Sequence, residues 1–212
     1  MNTQTASLNT TPSSEASANR MSTAVLIKPL VFLLLLSPFM WLVYAVFASQ
    51  LGENPIEAIT DFTGEWAFRI LLLSLAMTPL RQMLKQPWPI RYRRMIGLFA
   101  FFYVCLHFLT YLVLDNQLDM SIIVSDILDR PYITAGTVGF FIMIALALTS
   151  TKGMMKRLGK RWKSLHQWVY VAGAAACLHY IWLARGDRIE PFVYLAVFLL
   201  LMMPRFKKWL KR

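Results

Sequence analysis

Charge is scarce in this chain. Of its 212 residues, 16% are Asp, Glu, Lys or Arg and 57% are hydrophobic, whereas an ordinary soluble domain carries about 25% charged residues. A chain of this length cannot hide so much apolar surface in one water-surrounded core, because small domains leave a large share of their surface exposed. Lipid is the second solvent that the composition requires. Cysteine is almost missing: Cys105 and Cys177 stand inside apolar runs without a CxxC partner and read as two buried thiols. The nucleotide and metalloprotease signatures GxGxxG, GxxxxGK[ST] and HExxH are absent. Eight residues follow the last apolar run, so no soluble nucleotide-binding domain is expected on this chain. No internal repeat is evident.

Six long apolar stretches are present, at about 29–48, 62–80, 95–114, 131–149, 165–184 and 191–204. A spanning helix needs roughly 17–25 residues. Five stretches satisfy this, and the last is short unless Phe206 and Trp209 extend it beyond Pro204. The expected fold is all-α, a polytopic membrane bundle of six transmembrane helices forming one domain over residues 26–212. Residues 1–25, rich in Ser, Thr, Asn and Ala, are expected to form an unstructured tail. That tail does not read as a signal peptide, because the apolar run behind it has no nearby small-residue cleavage site.

The few charges are segregated. Basic residues sit at Arg20 and Lys28, five lie between Arg81 and Arg94, six between Lys152 and Lys163, and five from Arg205 to Arg212. In a six-span scheme all of these fall on one side. Ten of the 11 acidic residues, from Glu53 to Glu190, fall on the other. Orientation follows the Lys/Arg bias of short loops, so both ends of the chain are expected on the cytoplasmic side of a bacterial inner membrane. The net charge of +11 is then a topology signal and requires no nucleic acid.

All three histidines, His107, His166 and His179, lie in the third and fifth apolar runs. Ionisable residues inside a span are costly and mark function by default; the alternative is a neutral imidazole bonded to a neighbouring helix. Counting from the cytoplasmic ends near Met95 and Leu165, His107 lies roughly 18 Å and His179 roughly 21 Å deep at the helical rise. Two imidazoles at one level on neighbouring helices suit a b-type haem held from both sides. A tetrahedral zinc site would need further Cys, Asp or Glu ligands at that level. His166 stands apart, at the cytoplasmic mouth and about 140° around the helix axis from His179. The position matching it on the third run is Arg94. A second haem with an unusual ligand, a quinone or flavin site, and a structural role all stay open for His166. Arg69 and Arg94 are candidate partners of haem propionates, with snorkelling to the interface as the alternative for Arg94.

The blocks PxxAITDFTGEWAFRILLLSLAMTPLR from Pro55, RRMIGLFAFFYVCLHFLTYLV, RPYITAGTVGF, LTSTKGMMKRLGKRWKSLHQWVYV and LHYIW occur in this order. Over about residues 30–210 they resemble the MsrQ (formerly YedZ) family, the haem-binding membrane subunits of bacterial periplasmic methionine sulfoxide reductase systems. The resemblance implies a ferric-reductase-like transmembrane domain with haem b, with FMN as a further cofactor. It implies electrons drawn from the quinone pool and passed to a molybdenum-containing periplasmic partner, MsrP, which reduces methionine sulfoxide. It places His107, His166 and His179 at the family's haem-ligand positions. Two alternatives remain: a ferric-reductase or NADPH-oxidase-like protein fed by a cytosolic flavin reductase, and a non-redox transporter or assembly protein with structural histidines.

Overall fold

A computed structural model describes residues 12–184 and 188–210, with side chains described over 27–184 and 188–206. Among the described residues the regular structure is helical and no strand occurs. Helix α1 (Pro12–Phe47) is followed by α2 (Pro55–Leu84) and α3 (Trp88–Leu109), which continues as a π-helical turn over Thr110–Asp115. A short α4 (Met120–Asp129) leads into α5 (Pro131–Leu148). Two short helices, α6 (Lys152–Leu158) and α7 (Lys160–Leu165), and a 3-10 turn at His166–Trp168 precede α8 (Val169–Leu183); α9 (Glu190–Leu210) is the last.

By length and composition alone, four helical segments suffice to cross a membrane: Ile27–Phe47, Pro55–Leu84, Trp88–Asp115 and Pro131–Leu148. Helices α8 and α9 occupy the fifth and sixth expected spans. The protein is thus an all-α, multi-pass membrane bundle. Outward-pointing Leu33, Phe141 and Leu200, each at least 60% exposed, meet hydrocarbon without penalty once the bundle is in lipid.

Several boundaries differ from those read off hydropathy, each for a local reason. Residues 1–11 of the expected unstructured tail lie outside the described residues, but from Pro12 the backbone is helical. Proline at a first helical position suits that start, and neither Gly nor another Pro intervenes before Pro29. Helix α2 begins at Pro55, well before its apolar run. Asn54 caps it by accepting from the Glu57 amide and donating to the Glu57 carboxylate, and Pro55 again takes a first position. This carries Glu57, Asp61 and Glu65 on one rigid helix. The acidic stretch after Asp119 is a helix too, because the Asp119 carboxylate accepts from the Ser121 and Ile122 amides. Gly159, at φ +51°, separates α6 from α7 in a conformation that favours glycine.

Prolines inside the spans would leave main-chain groups unpaired in hydrocarbon, and two are repaired by side chains. Pro38 has no N–H for the Leu34 carbonyl, which accepts from the Ser37 hydroxyl at 2.9 Å instead. One residue on, the hydroxyl of Tyr103 stands inside the ladder of α1. It accepts from the Phe39 amide at 3.0 Å and donates to the Leu35 carbonyl at 2.9 Å. Tyr103 is fully buried and ties α3 to α1 one turn before His107. Pro79 likewise strands the Leu75 carbonyl of α2, which accepts from the Arg205 guanidinium of α9 at 2.9 Å.

The closest-packed helix pairs are α2 with α3 and α5 with α8, and they are built alike. The triplet Cys-Leu-His occurs at 105–107 and again at 177–179, and Gly64 and Gly136 are spaced by the same 72 positions. The absence of a repeat expected from sequence is therefore corrected: two copies of a helix pair face each other. Few positions preserve it, since apolar residues interchange freely where only bulk is needed.

Candidate functional site

The repeated element is a histidine clamped by the partner helix. His107 on α3 shares a hydrogen bond through Nδ1 with the Thr60 carbonyl of α2 at 3.0 Å. His179 on α8 does the same with the Tyr132 carbonyl of α5 at 2.7 Å. In both cases the carbonyl lies 47 residues upstream of the histidine. One turn beyond each carbonyl is a glycine under the ring. A Cβ on Gly64 would sit 3.0 Å from Cε1 and Nδ1 of His107, and one on Gly136 would sit 3.0 Å from Nδ1 of His179. Glycine is required here because the ring rests directly on the helix backbone.

A carbonyl accepts only, so each Nδ1 carries the proton and each Nε2 is left with its lone pair. Among the described residues neither Nε2 makes a hydrogen bond. The two rings face each other with centroids 6.1 Å apart and planes at 77°. A metal–imidazole bond is about 2 Å long and the ring centre lies roughly 1 Å behind the nitrogen, so two imidazoles on opposite sides of one metal have centroids roughly 6 Å apart. The observed spacing fits that geometry. Among the described residues no group of three or more His, Cys, Asp or Glu is placed to hold a metal by itself. Two facing imidazoles serve a metal whose other ligands arrive with a planar macrocycle.

Both histidines line one cavity of about 490 Å³ between α2, α3, α5 and α8, within the range of small-molecule and cofactor sites, about 300–1,000 Å³. Its deep wall is apolar, with Phe68, Leu71, Val104, Met143 and Ala176. Its other end, closed by the π turn and α4, is polar and includes Asp61, Asp126, Arg130 and Arg188. There Arg130 pairs with Asp126 at 3.0 Å and Arg188 with Asp61 at 3.5 Å. The Tyr132 hydroxyl and then Asp126 hold Arg130 above the ordinary arginine range, and Asp61 does so for Arg188.

The other residues singled out from sequence lie elsewhere. Arg69 is not on the cavity wall. Its Nε donates to the Tyr194 hydroxyl at 2.7 Å, it pairs with Glu65, and its guanidinium covers the Trp66 ring at 5.3 Å. Arg94 lies at the basic end, where its guanidinium reaches the Met155 sulfur at 3.6 Å. His166 is also at that end and outside the cavity. Its Nε2 is 3.4 Å from the Ser150 hydroxyl and its ring stacks on Trp162 at 3.9 Å, while its buried Nδ1 has no partner among the described residues. Arg130 and Arg188 were missed because they look like ordinary interfacial charges. The repeated Cys-Leu-His triplet and the two glycines were the signal for the pseudo-symmetric clamp. Both cysteines are free, Cys177 buried and Cys105 half-buried.

Residues 63–177 match the family described as ferric reductase like transmembrane component. The chain is 47% identical over 191 residues to the protein-methionine-sulfoxide reductase heme-binding subunit MsrQ of Herminiimonas arsenicoxydans, spanning 88% of each protein. It is 46% identical to the protein of the same name from Rhodospirillum rubrum, over 82% of this chain and 85% of that one. A longer relative, the magnetosome protein MamZ of Paramagnetospirillum magneticum, is 42% identical over 86% of this chain but only 29% of its own length. No solved structure matches. The segment of the ferric-reductase match runs from the Thr63–Gly64 turn of α2 to Cys177, two residues short of His179, and the relatives extend the similarity over both clamps. The chain belongs to the MsrQ family of ferric-reductase-like transmembrane proteins.

Proposed function

We propose that this protein is a haem-b electron-transfer subunit of the bacterial inner membrane. In this reading it serves a periplasmic, molybdenum-containing partner of the MsrP kind that reduces methionine sulfoxide in oxidised proteins. The observation that carries the reading is the pair of carbonyl-anchored imidazoles, with bare Nε2 atoms, facing each other across the cavity at 6.1 Å. The names of the relatives, which specify haem binding and protein-methionine-sulfoxide reduction, support it.

His107 and His179 hold the haem, which supplies one-electron chemistry at its iron when bound. The protein's own work is to fix both imidazoles in one tautomer through Thr60 and Tyr132, to keep the deep wall apolar, and to gather the charged groups of the site at the acidic end of the bundle. With the basic ends cytoplasmic, that acidic end is periplasmic and adjoins the surface a periplasmic partner reaches. Electrons enter from the opposite side, from the quinone pool or from a cytosolic flavin reductase. FMN rests on the family resemblance alone.

The arrangement of Ser150, Trp162 and His166 supports a structural role for His166, fastening the basic end of α5 to the segment that leads into α8. Arg69 and Arg94 act as fixings of α9 and of the basic loops.

The test is the optical spectrum of the purified chain with pyridine haemochrome quantification. A sharp b-type reduced-minus-oxidised spectrum is expected. His107→Ala or His179→Ala removes most of it, whereas His166→Ala retains the haem and lowers thermal stability. Full haem retention in both of the first two variants rules the assignment out. A colourless wild-type preparation from haem-replete cells favours a transporter or assembly role.

A further inference from the structure

His107 and His179 would hold a haem between them, but the imidazole pair leaves open which edge of the cavity would take the two carboxylates. From the cavity wall we infer that Arg188 and Arg130, with the hydroxyl of Tyr180, are the propionate-binding groups, and that Asp61 and Asp126 are the placeholders those propionates displace. This inference rests on the haem reading above.

Three observations carry it. The polarity of the wall is one-sided: the deep end offers apolar side chains, and the charged groups gather at the end closed by α4 and the π turn. Burying an ionised carboxylate among the former is far costlier than meeting an arginine at the latter. Second, Arg130 and Arg188 line the cavity and each is already paired with a carboxylate of the same wall. The Arg188–Asp61 contact is long, at 3.5 Å, and both side chains are about half exposed, so the guanidinium is free to turn inward. Arg130 likewise has a half-exposed side chain, held by Asp126 at 3.0 Å and the Tyr132 hydroxyl at 3.3 Å, and Asp126 keeps the Tyr111 hydroxyl at 3.4 Å when Arg130 leaves it. Third, Tyr180 contributes to this wall, and its hydroxyl, packed just behind the cavity surface, has no partner among the described residues. A buried donor left unpaired is unfavourable, and a propionate oxygen supplies the acceptor. The exchange replaces one arginine–carboxylate pair by another; the released Asp61, 41% exposed, turns to water, and Asp126 stays on the Tyr111 hydroxyl. Arg69, the sequence's candidate for this role, is committed to Tyr194 and Glu65 instead.

The experiment uses the full chain in detergent, with Arg188→Gln, Arg130→Gln, Tyr180→Phe and Asp61→Asn variants. Haem content, the rate of haem loss to excess apomyoglobin and the reduction potential are read for each. All variants keep the low-spin spectrum set by the two histidines. Haem loss accelerates about tenfold in Arg188→Gln and Arg130→Gln, as expected for removing a charge-assisted contact, and severalfold in Tyr180→Phe. The potential falls in both arginine variants, because a cation near the propionates favours the reduced form. Asp61→Asn separates this role from a structural strap. A freed Arg188 slows haem loss or leaves it unchanged, whereas loss of a strap accelerates it as Arg188→Gln does. Reconstitution with haem dimethyl ester, which lacks the anionic carboxylates, abolishes the difference between wild type and Arg188→Gln. Wild-type loss rates and potentials in both arginine variants overturn the inference while leaving the haem reading intact. A wild-type chain without a b-type spectrum removes both.

Discussion

Alanine in place of Gly136 puts a methyl carbon 3.0 Å from Nδ1 and 3.2 Å from Cε1 of His179. Comfortable contacts between such atoms lie near 3.5 Å or beyond, so the ring must retreat by about half an ångström. The bond from Nδ1 to the Tyr132 carbonyl, 2.7 Å long, then stretches toward the edge of useful geometry, and Nε2 leaves the axis shared with His107. A ligand held about half an ångström off its position is no longer preorganised. Losing the outer-shell partner of a metal-bound histidine lowers affinity by about 10–100-fold, or about 1.4–2.7 kcal/mol. The apoprotein moves the other way, since alanine replaces glycine inside a helix with a gain of about 0.5–1 kcal/mol. Gly64→Ala does the same to His107, whereas Gly153→Ala, with nothing within 4 Å of the added carbon, serves as control. The assay pairs thermal unfolding of the apoprotein with haem content and the rate of haem loss. The expected outcome is an apoprotein at least as stable as wild type that holds haem at least tenfold more weakly in both clamp variants. Wild-type haem retention in Gly64→Ala and Gly136→Ala refutes the clamp.

Two further outcomes follow from packing. Tyr103→Phe leaves the Phe39 amide and Leu35 carbonyl without the hydroxyl that joins them and costs about 1–3 kcal/mol, read as a lowered unfolding midpoint in detergent; an unchanged midpoint means that α1 recloses its own ladder. Gly173→Ala puts a carbon 2.5 Å from the buried Phe198 ring, an overpacking worth about 1–3 kcal/mol. The double variant Gly173→Ala/Phe198→Leu restores most of the midpoint.

Hydropathy made the spans legible, because lipid enforces one apolar length. The pairing of His107 with His179 followed from their common depth, a quantity linear in sequence once orientation is known. What depth does not contain is azimuth. Arg69 looked functional for standing in an apolar run, yet it lies one turn beyond Glu65 and turns toward Tyr194 on α9. Arg130 and Arg188 looked ordinary because they border spans, and only the approach of α2, α5 and the segment before α9 brings them to one cavity. Helix α4 was hidden because its ten residues are too short to cross lipid; its cap at Asp119 was the local signal. The repeat was hidden because it survives only where backbone meets ring.

Pro38 and Tyr103 stand 65 residues apart and behave as a single unit of substitution. A leucine at position 38 would restore an amide for the Leu34 carbonyl and allow the Phe39 amide to return to Leu35, and the tyrosine hydroxyl would then be a surplus polar group in an apolar interior. Changing either residue alone is unfavourable, and changing both is close to neutral. Pro79 and Arg205 are coupled in the same way through the Leu75 carbonyl. In drifting sequences of this architecture these two pairs are expected to change together, and the arginine at the basic end of α9 is then retained or lost with a proline on another helix, whatever the charge rule asks of that loop.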